Sequence, residues 1–205
     1  MLGELPVSEF LEETAANTPV PGGGSVAALS AAMAASLVEM VANLTVGKQG
    51  FDSVAGEMQQ IVERARSYRQ RFVFSIDRDA EAFSRVVAAF KLPKATDEQR
   101  RERTTAVQKA FKEAARVPLE VARDARTILD LAGLVVEKGN RNAVTDGLVG
   151  AMMARTAVLS ALYNVRINLE SIRDEPFVQE VRKEVQAIRA GVILKEQTIL
   201  TSVDL

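Results

Sequence analysis

The sequence predicts an all-α protein, a bundle of about six helices with long central helices, on three observations. Apolar residues recur every three or four positions along most of the chain, and no segment alternates as a half-buried strand would. Pro, Gly and capping residues punctuate that pattern at a few places only. Hydrophobic residues make up 47% of the 205 residues, enough to fill one core, so residues 1–205 are expected to form a single domain.

The elements follow in order. Ser8 is placed to cap a short first helix carrying Phe10, Leu11 and Thr14, which must stop before Pro19 and Pro21. Pro21-Gly22-Gly23-Gly24-Ser25 reads as a turn, with Ser25 at the cap of a second, Ala-rich helix running to about Thr45 and ending at Gly47. That helix is apolar on most of its circumference, which places it at the centre of a bundle or in a subunit interface. Its Glu39 and Asn43 argue against a membrane span, because a mid-helix acid costs about 3 kcal/mol there and Ala returns little. Glu39 is expected to be satisfied by Asn43 or a neighbour.

A third helical region opens at Asp52 and continues to about Phe90. Its apolar seam reads Val54, Met58, Ile61, Ala65, Tyr68, Phe72, Ile76, Asp79, Phe83, Val86 and Phe90. Leu92-Pro93-Lys94 interrupts it. Thr96 and Gln99 form a capping box for a fourth helix, expected to reach Lys138 with a kink at Pro118. Gly139-Asn140 ends that helix, a fifth runs from about Asp146 to Ile172, and Asp174-Glu175-Pro176 starts the sixth. Helices of this length would span roughly 40 to 60 Å at 1.5 Å per residue, more than a compact monomer of this size needs, so a homodimer is expected.

Composition excludes several function classes. Lys and Arg number 26 against 27 Asp and Glu, so the chain lacks the basic surface of a nucleic-acid binder. Aromatic residues are 5% with no Trp, which disfavours base-stacking platforms. With no Cys and no His, disulfides, thiolate metal sites, cysteine nucleophiles and imidazole acid–base catalysis are all unavailable. No metal site is therefore expected, and proton transfer falls to Asp, Glu, Lys, Tyr, water or substrate. The N-terminal MLGELPVSEF has no basic segment followed by an apolar run, so a cytoplasmic location without membrane partners is expected.

Some polar residues interrupt these patterns. The glycines beside a helix start leave backbone amides open to an anion; the alternative is a tight turn that permits close helix packing. Asp79 sits on an apolar seam, where a carboxylate is costly unless paired. It is either functional or a structural partner of an Arg such as Arg71 or Arg78. Asp77 points to another side of a straight helix, although a kink could bring both into one cleft. Asn164 and Asn168 share a face of the fifth helix, in line with Asp146 through Gly150, Met153, Ala157 and Ala161. That face either floors a ligand cleft or seats a neighbouring helix. Lys94 is either a ligand contact or a solvated charge.

Four stretches together resemble the cyclodeaminase/cyclohydrolase family, which includes the C-terminal domain of formiminotransferase-cyclodeaminase and free-standing methenyltetrahydrofolate cyclohydrolases. They are Pro21–Ser25 leading into the Ala-rich helix, Asp77–Phe83 followed by Leu92-Pro93-Lys94, Gly139-Asn140 with Asp146, and Tyr163–Leu169. The resemblance implies a homodimer and one-carbon chemistry on a tetrahydrofolate substrate, with no metal or prosthetic cofactor. It implies catalytic roles for Asp79 and Asp77. Substrate contacts are implied for Gly22, Gly23, Gly24, Ser25, Lys94, Asn140, Asp146, Asn164 and Asn168. The activity expected first is cyclodeamination of 5-formiminotetrahydrofolate to 5,10-methenyltetrahydrofolate and ammonia. Methenyltetrahydrofolate cyclohydrolase is the alternative, and a non-catalytic folate-binding or structural helical dimer is the competing class.

Overall fold

The computed structural model describes residues 1–204. Six α-helices, and no strand among the described residues, account for the architecture: α1 (Val7–Ala15), α2 (Gly23–Asn43), α3 (Ala55–Phe90), α4 (Asp97–Lys138), α5 (Val144–Leu169) and α6 (Glu175–Leu200). Short 3-10 turns at Leu2–Glu4, Asp52–Val54 and Arg141–Ala143 precede α1, α3 and α5.

Side-chain contacts fix how the helices run. Glu39 on α2 meets Arg66 and Arg69 on α3, while Ser25 meets Ile76, so α2 and α3 are antiparallel. Arg78 pairs with Glu120 and Lys138 with Glu57, so α3 and α4 are antiparallel too. An added Cβ at Gly147 would lie 2.8 Å from Val136, and Asn168 donates to the Ala114 carbonyl; α5 therefore runs back along α4. Helix α2 packs on α3, α4 and α5 at once, and α6 closes the outside against α4 and α5. This explains the composition of α2. Ala27, Ala28, Ala31, Ala34 and Ala35 are buried, and small side chains let three neighbours approach one axis.

By length and composition, α2 and the stretch Arg141–Leu169 could each cross a membrane. In this fold both are core helices, and the acid on α2 is neutralised inside the bundle. Glu39 accepts from Arg66 Nε at 3.0 Å and Arg69 Nε at 2.9 Å. Its partners lie on the adjacent helix, not at Asn43.

Several boundaries differ from expectation. Helix α1 starts at Val7 with Pro6 at its cap position, so Ser8 lies inside the first turn. Helix α2 starts at Gly23 with Gly22 at its cap, which moves Ser25 from the cap into the helix. The Thr96–Gln99 capping box is present, and Asp174 caps α6 by accepting the Phe177 amide. Helix α4 continues through the buried Pro118.

The α3 seam holds as far as Ile76 and then departs from the expected line. Phe83 and Phe90 are exposed; Val86 is buried as expected, and Ala82 and Ala89 are buried in place of the two phenylalanines. Beyond Asp79, α3 has passed the start of α2, and α4 becomes its main support. The buried stripe narrows and turns toward that one neighbour, forming a second small core of Ala82, Val86, Ala114 and Val117. The α3–α4 hairpin thus projects as an arm, fastened near its tip by Phe90 against Phe111 and by Arg103 over Phe90.

Candidate functional site

The turn before α2 delivers the helix N-terminus into a junction of α2, α3 and α5. The first-turn amides of a helix have no partner within it and carry partial positive charge. At α2 no cap side chain of its own takes them. Asp79 of α3 stands beside them from across the junction, its carboxyl accepting from the Ser25 hydroxyl at 3.2 Å. The approach is so close that a Cβ at Gly24 would stand 2.0 Å from Asp79 Oδ1 and 2.4 Å from Cγ. Gly24 is required here because the carboxyl occupies the space of the missing side chain.

Gly23 faces the opposite wall. A Cβ there would come 3.3 Å from Asn164 Nδ2 on α5. Asn164 donates to its own helix at Ser160, and Asn168 donates to the Ala114 carbonyl of α4 and to the Asn164 carbonyl. Asn168 therefore ties α5 to α4, whereas Asn164 lies directly beside the glycine turn.

Asp79 makes no ion pair among the described residues. The candidate partners Arg71 and Arg78 are committed to Asp124 and Glu120 on α4. Burial pushes the Asp79 carboxyl above its ordinary range, against the opposing pull of its Ser25 contacts. A carboxyl whose hold on its proton is strengthened by burial, at the start of a helix, can deliver that proton or hold a cation once it has done so.

The other predicted residues divide into three groups. Ser25 belongs to the junction and is 0% exposed, its hydroxyl lying against Ile76 and Asp79. Asp77 is turned away and accepts the Leu2 and Gly3 amides at 2.6 and 3.2 Å, fastening the N-terminal turn; no kink in α3 brings it to Asp79. Lys94 is exposed at the tip of the arm, past the end of α3 at Phe90, which itself lies roughly 16 Å along the helix from Asp79 at 1.5 Å per residue. Asn140 and Asp146 lie at the opposite end of α2, about 30 Å from Gly23 within one chain. Asn140 is buried there in a structural clamp: its Oδ1 accepts from Lys48 Nζ and the Asn142 amide, and its Nδ2 donates to the Leu44 carbonyl. Gly22, at the α2 cap position, faces the Pro19 carbonyl.

Fold and site define an all-helical protein with an unpaired carboxyl at the N-terminus of its central helix. The sequence model described as formiminotransferase-cyclodeaminase matches residues 6–187, and the chain belongs to that family. It is 40% identical over 93% of its length to a methenyltetrahydrofolate cyclohydrolase of Methylorubrum extorquens, covering 91% of that protein. It is 32% identical to the formimidoyltransferase-cyclodeaminase of Rattus norvegicus over 95% of its own length but 36% of that longer protein. A solved structure of formiminotetrahydrofolate cyclodeaminase from Thermotoga maritima superposes with a TM-score of 0.85 at 33% identity, covering 98% of both chains.

Proposed function

We propose that this chain is a one-carbon folate enzyme, a formiminotetrahydrofolate cyclodeaminase whose acid is Asp79. The observation that carries this reading is an unpaired carboxyl, raised toward its protonated form by burial, held at the glycine-rich start of α2. Cyclodeamination needs such a group. The imine nitrogen of the N5-formimino group carries one hydrogen and must leave as ammonia. Asp79 supplies one of the two further protons, and the N10–H supplies the other as N10 bonds to the formimino carbon. The carbon–nitrogen bond to ammonia then breaks. The methenyl product is a cation, and Asp79, now a carboxylate, is its counter-charge. Asn164 stands at the same junction with both donor and acceptor atoms suited to a pterin edge. Lys94, further along the arm, suits the anionic glutamate end of an elongated substrate.

A second reading rests on the 40% identity to a cyclohydrolase of nearly the same length. There Asp79, as carboxylate, would draw a proton from water attacking the methenyl carbon. One pair of assays separates the two. Incubation with 5-formiminotetrahydrofolate should raise methenyl absorbance and release equimolar ammonia. Decay of methenyl absorbance on supplied methenyltetrahydrofolate, with no turnover of the formimino compound, would establish the cyclohydrolase. Neither reaction occurring would refute both.

The reading includes a second copy of the chain. Val26, Met33 and Met40, seven residues apart on α2, are solvent-exposed, as are Val149 and Met152 on α5. Apolar stripes on two packed core helices suit a self-complementary interface. A monomer by light scattering at micromolar concentration would refute it.

A further inference from the structure

Helix α3 exposes three phenylalanines, Phe74, Phe83 and Phe90, and they stand in different surroundings. Phe74 comes before Asp79 and is turned about 140° from it by the 3.6-residue period, away from α2. A lone exposed apolar side chain of this kind is ordinary on a protein surface. Phe90 is occupied at the arm's tip, where its ring packs edge-on to Phe111 with centroids 5.9 Å apart and lies under the Arg103 guanidinium. Phe83 has neither excuse. It follows Asp79 by one turn, on the same face of the helix and about 6 Å further toward the arm, and it lies outside both apolar cores.

The walls around Phe83 continue the junction. Helices α3 and α5 run parallel, each antiparallel to α4, and α2 packs against both. At the start of α2 the two walls are level, with Asp79 against Gly24 and Asn164 against Gly23. One turn further on, Asn168 of α5 donates to the Ala114 carbonyl, and Ala114 packs with Ala82, the chain neighbour of Phe83. Helix α2 does not reach that level. The apolar ring of Phe83 therefore stands beside the acid where the central helix no longer covers it.

We infer that Phe83 is a substrate-binding residue whose ring stacks on the aminobenzoyl ring of the folate. This rests on the proposed function, which sets the reacting carbon at Asp79, the pterin edge at Asn164 and the glutamate end toward Lys94. In a tetrahydrofolate the benzoyl ring is bonded to N10 and links it to the glutamate. A molecule laid out in that order carries its ring across the turn of α3 that follows Asp79, and Phe83 is on that turn. Contact between two aromatic rings holds a flat, uncharged segment without drawing on the acid's proton. It also fixes the plane of the benzoyl ring, and with it the direction of the N10 lone pair that attacks the formimino carbon. The ring is common to formimino and methenyl substrates, so the contact serves either activity.

The chain has no Trp, so Phe83→Trp installs a single fluorescent reporter. Titration of that variant with p-aminobenzoylglutamate, which carries the ring and the glutamate but no pterin and no one-carbon group, should quench or shift its emission saturably. Phe74→Trp should not respond. Phe83→Ala should raise KM about tenfold for whichever folate turns over, with kcat changed less, and Phe83→Leu, which keeps apolar bulk without a flat face, about threefold. Phe74→Ala should leave both constants as they are. A silent Phe83→Trp, or a folded Phe83→Ala protein with the parental KM, would overturn the inference. So would a smaller assembly of Phe83→Ala by light scattering with KM unchanged, which would place the ring in a subunit interface. A parent that turns over neither folate would refute the proposed function, while a saturable Phe83→Trp response would leave the ring site standing.

Discussion

Gly24→Ala is the most demanding test of the junction. A methyl group at residue 24 would lie 2.0, 2.4 and 2.5 Å from Asp79 Oδ1, Cγ and Oδ2. Ordinary contact needs well over 3 Å, so the carboxyl must retreat by roughly an ångström or more. Retreat breaks the Ser25 hydroxyl contact and moves the acid off its geometry. Overpacking of this kind costs about 1–3 kcal/mol. Alanine within a helix returns up to about 1 kcal/mol over glycine. The net loss of stability is therefore modest, about 0–2 kcal/mol. Turnover should suffer far more, about 10²-fold or greater, because an ångström of misplacement disables an acid. Gly23→Ala is the internal control, since its methyl meets only the Asn164 amide at 3.3 Å. It should keep turnover within about tenfold, since the amide side chain can shift by a few tenths of an ångström. Steady-state turnover and melting temperature on the same preparations provide the measurement. A folded Gly24→Ala protein with turnover within threefold of the parent would refute the proposed role of this contact.

Asp79→Asn should lower turnover about 10²-fold while preserving the fold, read by initial rates and circular dichroism. Because the folded pKa of Asp79 lies above its ordinary value of 3.8, its stabilising contribution is full below that value and is lost as pH rises through the folded pKa. The Asn variant should therefore gain melting temperature relative to the parent at neutral pH more than at pH 4; equal differences at both would contradict the shift. Glu39→Ala should destabilise by about 2 kcal/mol, because it leaves Arg66 and Arg69 without their shared acceptor, and denaturant unfolding would detect this. Activity should survive exhaustive chelation with EDTA; loss restored by a divalent metal would overturn the metal-free mechanism.

Much of the fold was legible because its signals are local. The Thr96–Gln99 box, the Asp174 start of α6 and the apolar spacing from Met58 to Ile76 all concern neighbours within one or two turns. The differences arise where a distant element decides. Ser25 reads as a cap because it follows three glycines, but its hydroxyl meets Ile76 and Asp79, on another helix. Phe83 and Phe90 continue the period correctly; what ends there is the set of helices available to bury them. Asp79 is conspicuous in the sequence as an acid on an apolar seam. Its lack of a cation, which distinguishes it from Glu39, is visible only in three dimensions. Asp77 carries no local sign that it fastens the N-terminal turn, since Leu2 and Gly3 are over seventy residues away.

The projecting α3–α4 arm divides the molecule into two tiers of rigidity. Around α2 the core is continuous, whereas the arm rests on a small separate cluster of Ala82, Val86, Ala114 and Val117, with Ala110 and Phe111 packed against it. Segments with few buried contacts open at lower free energy than the core to which they are joined. Backbone amides in the distal arm should accordingly exchange with solvent well before those of α2. Asp79 sits at the root of the arm, on the rigid side, and Lys94 at its tip. An elongated substrate held at both places would have its reacting end fixed and its far end on a spring. The rate at which product escapes would then follow the opening of the arm, so substitutions that tighten the small core at Ala114 would slow release without touching the chemical step.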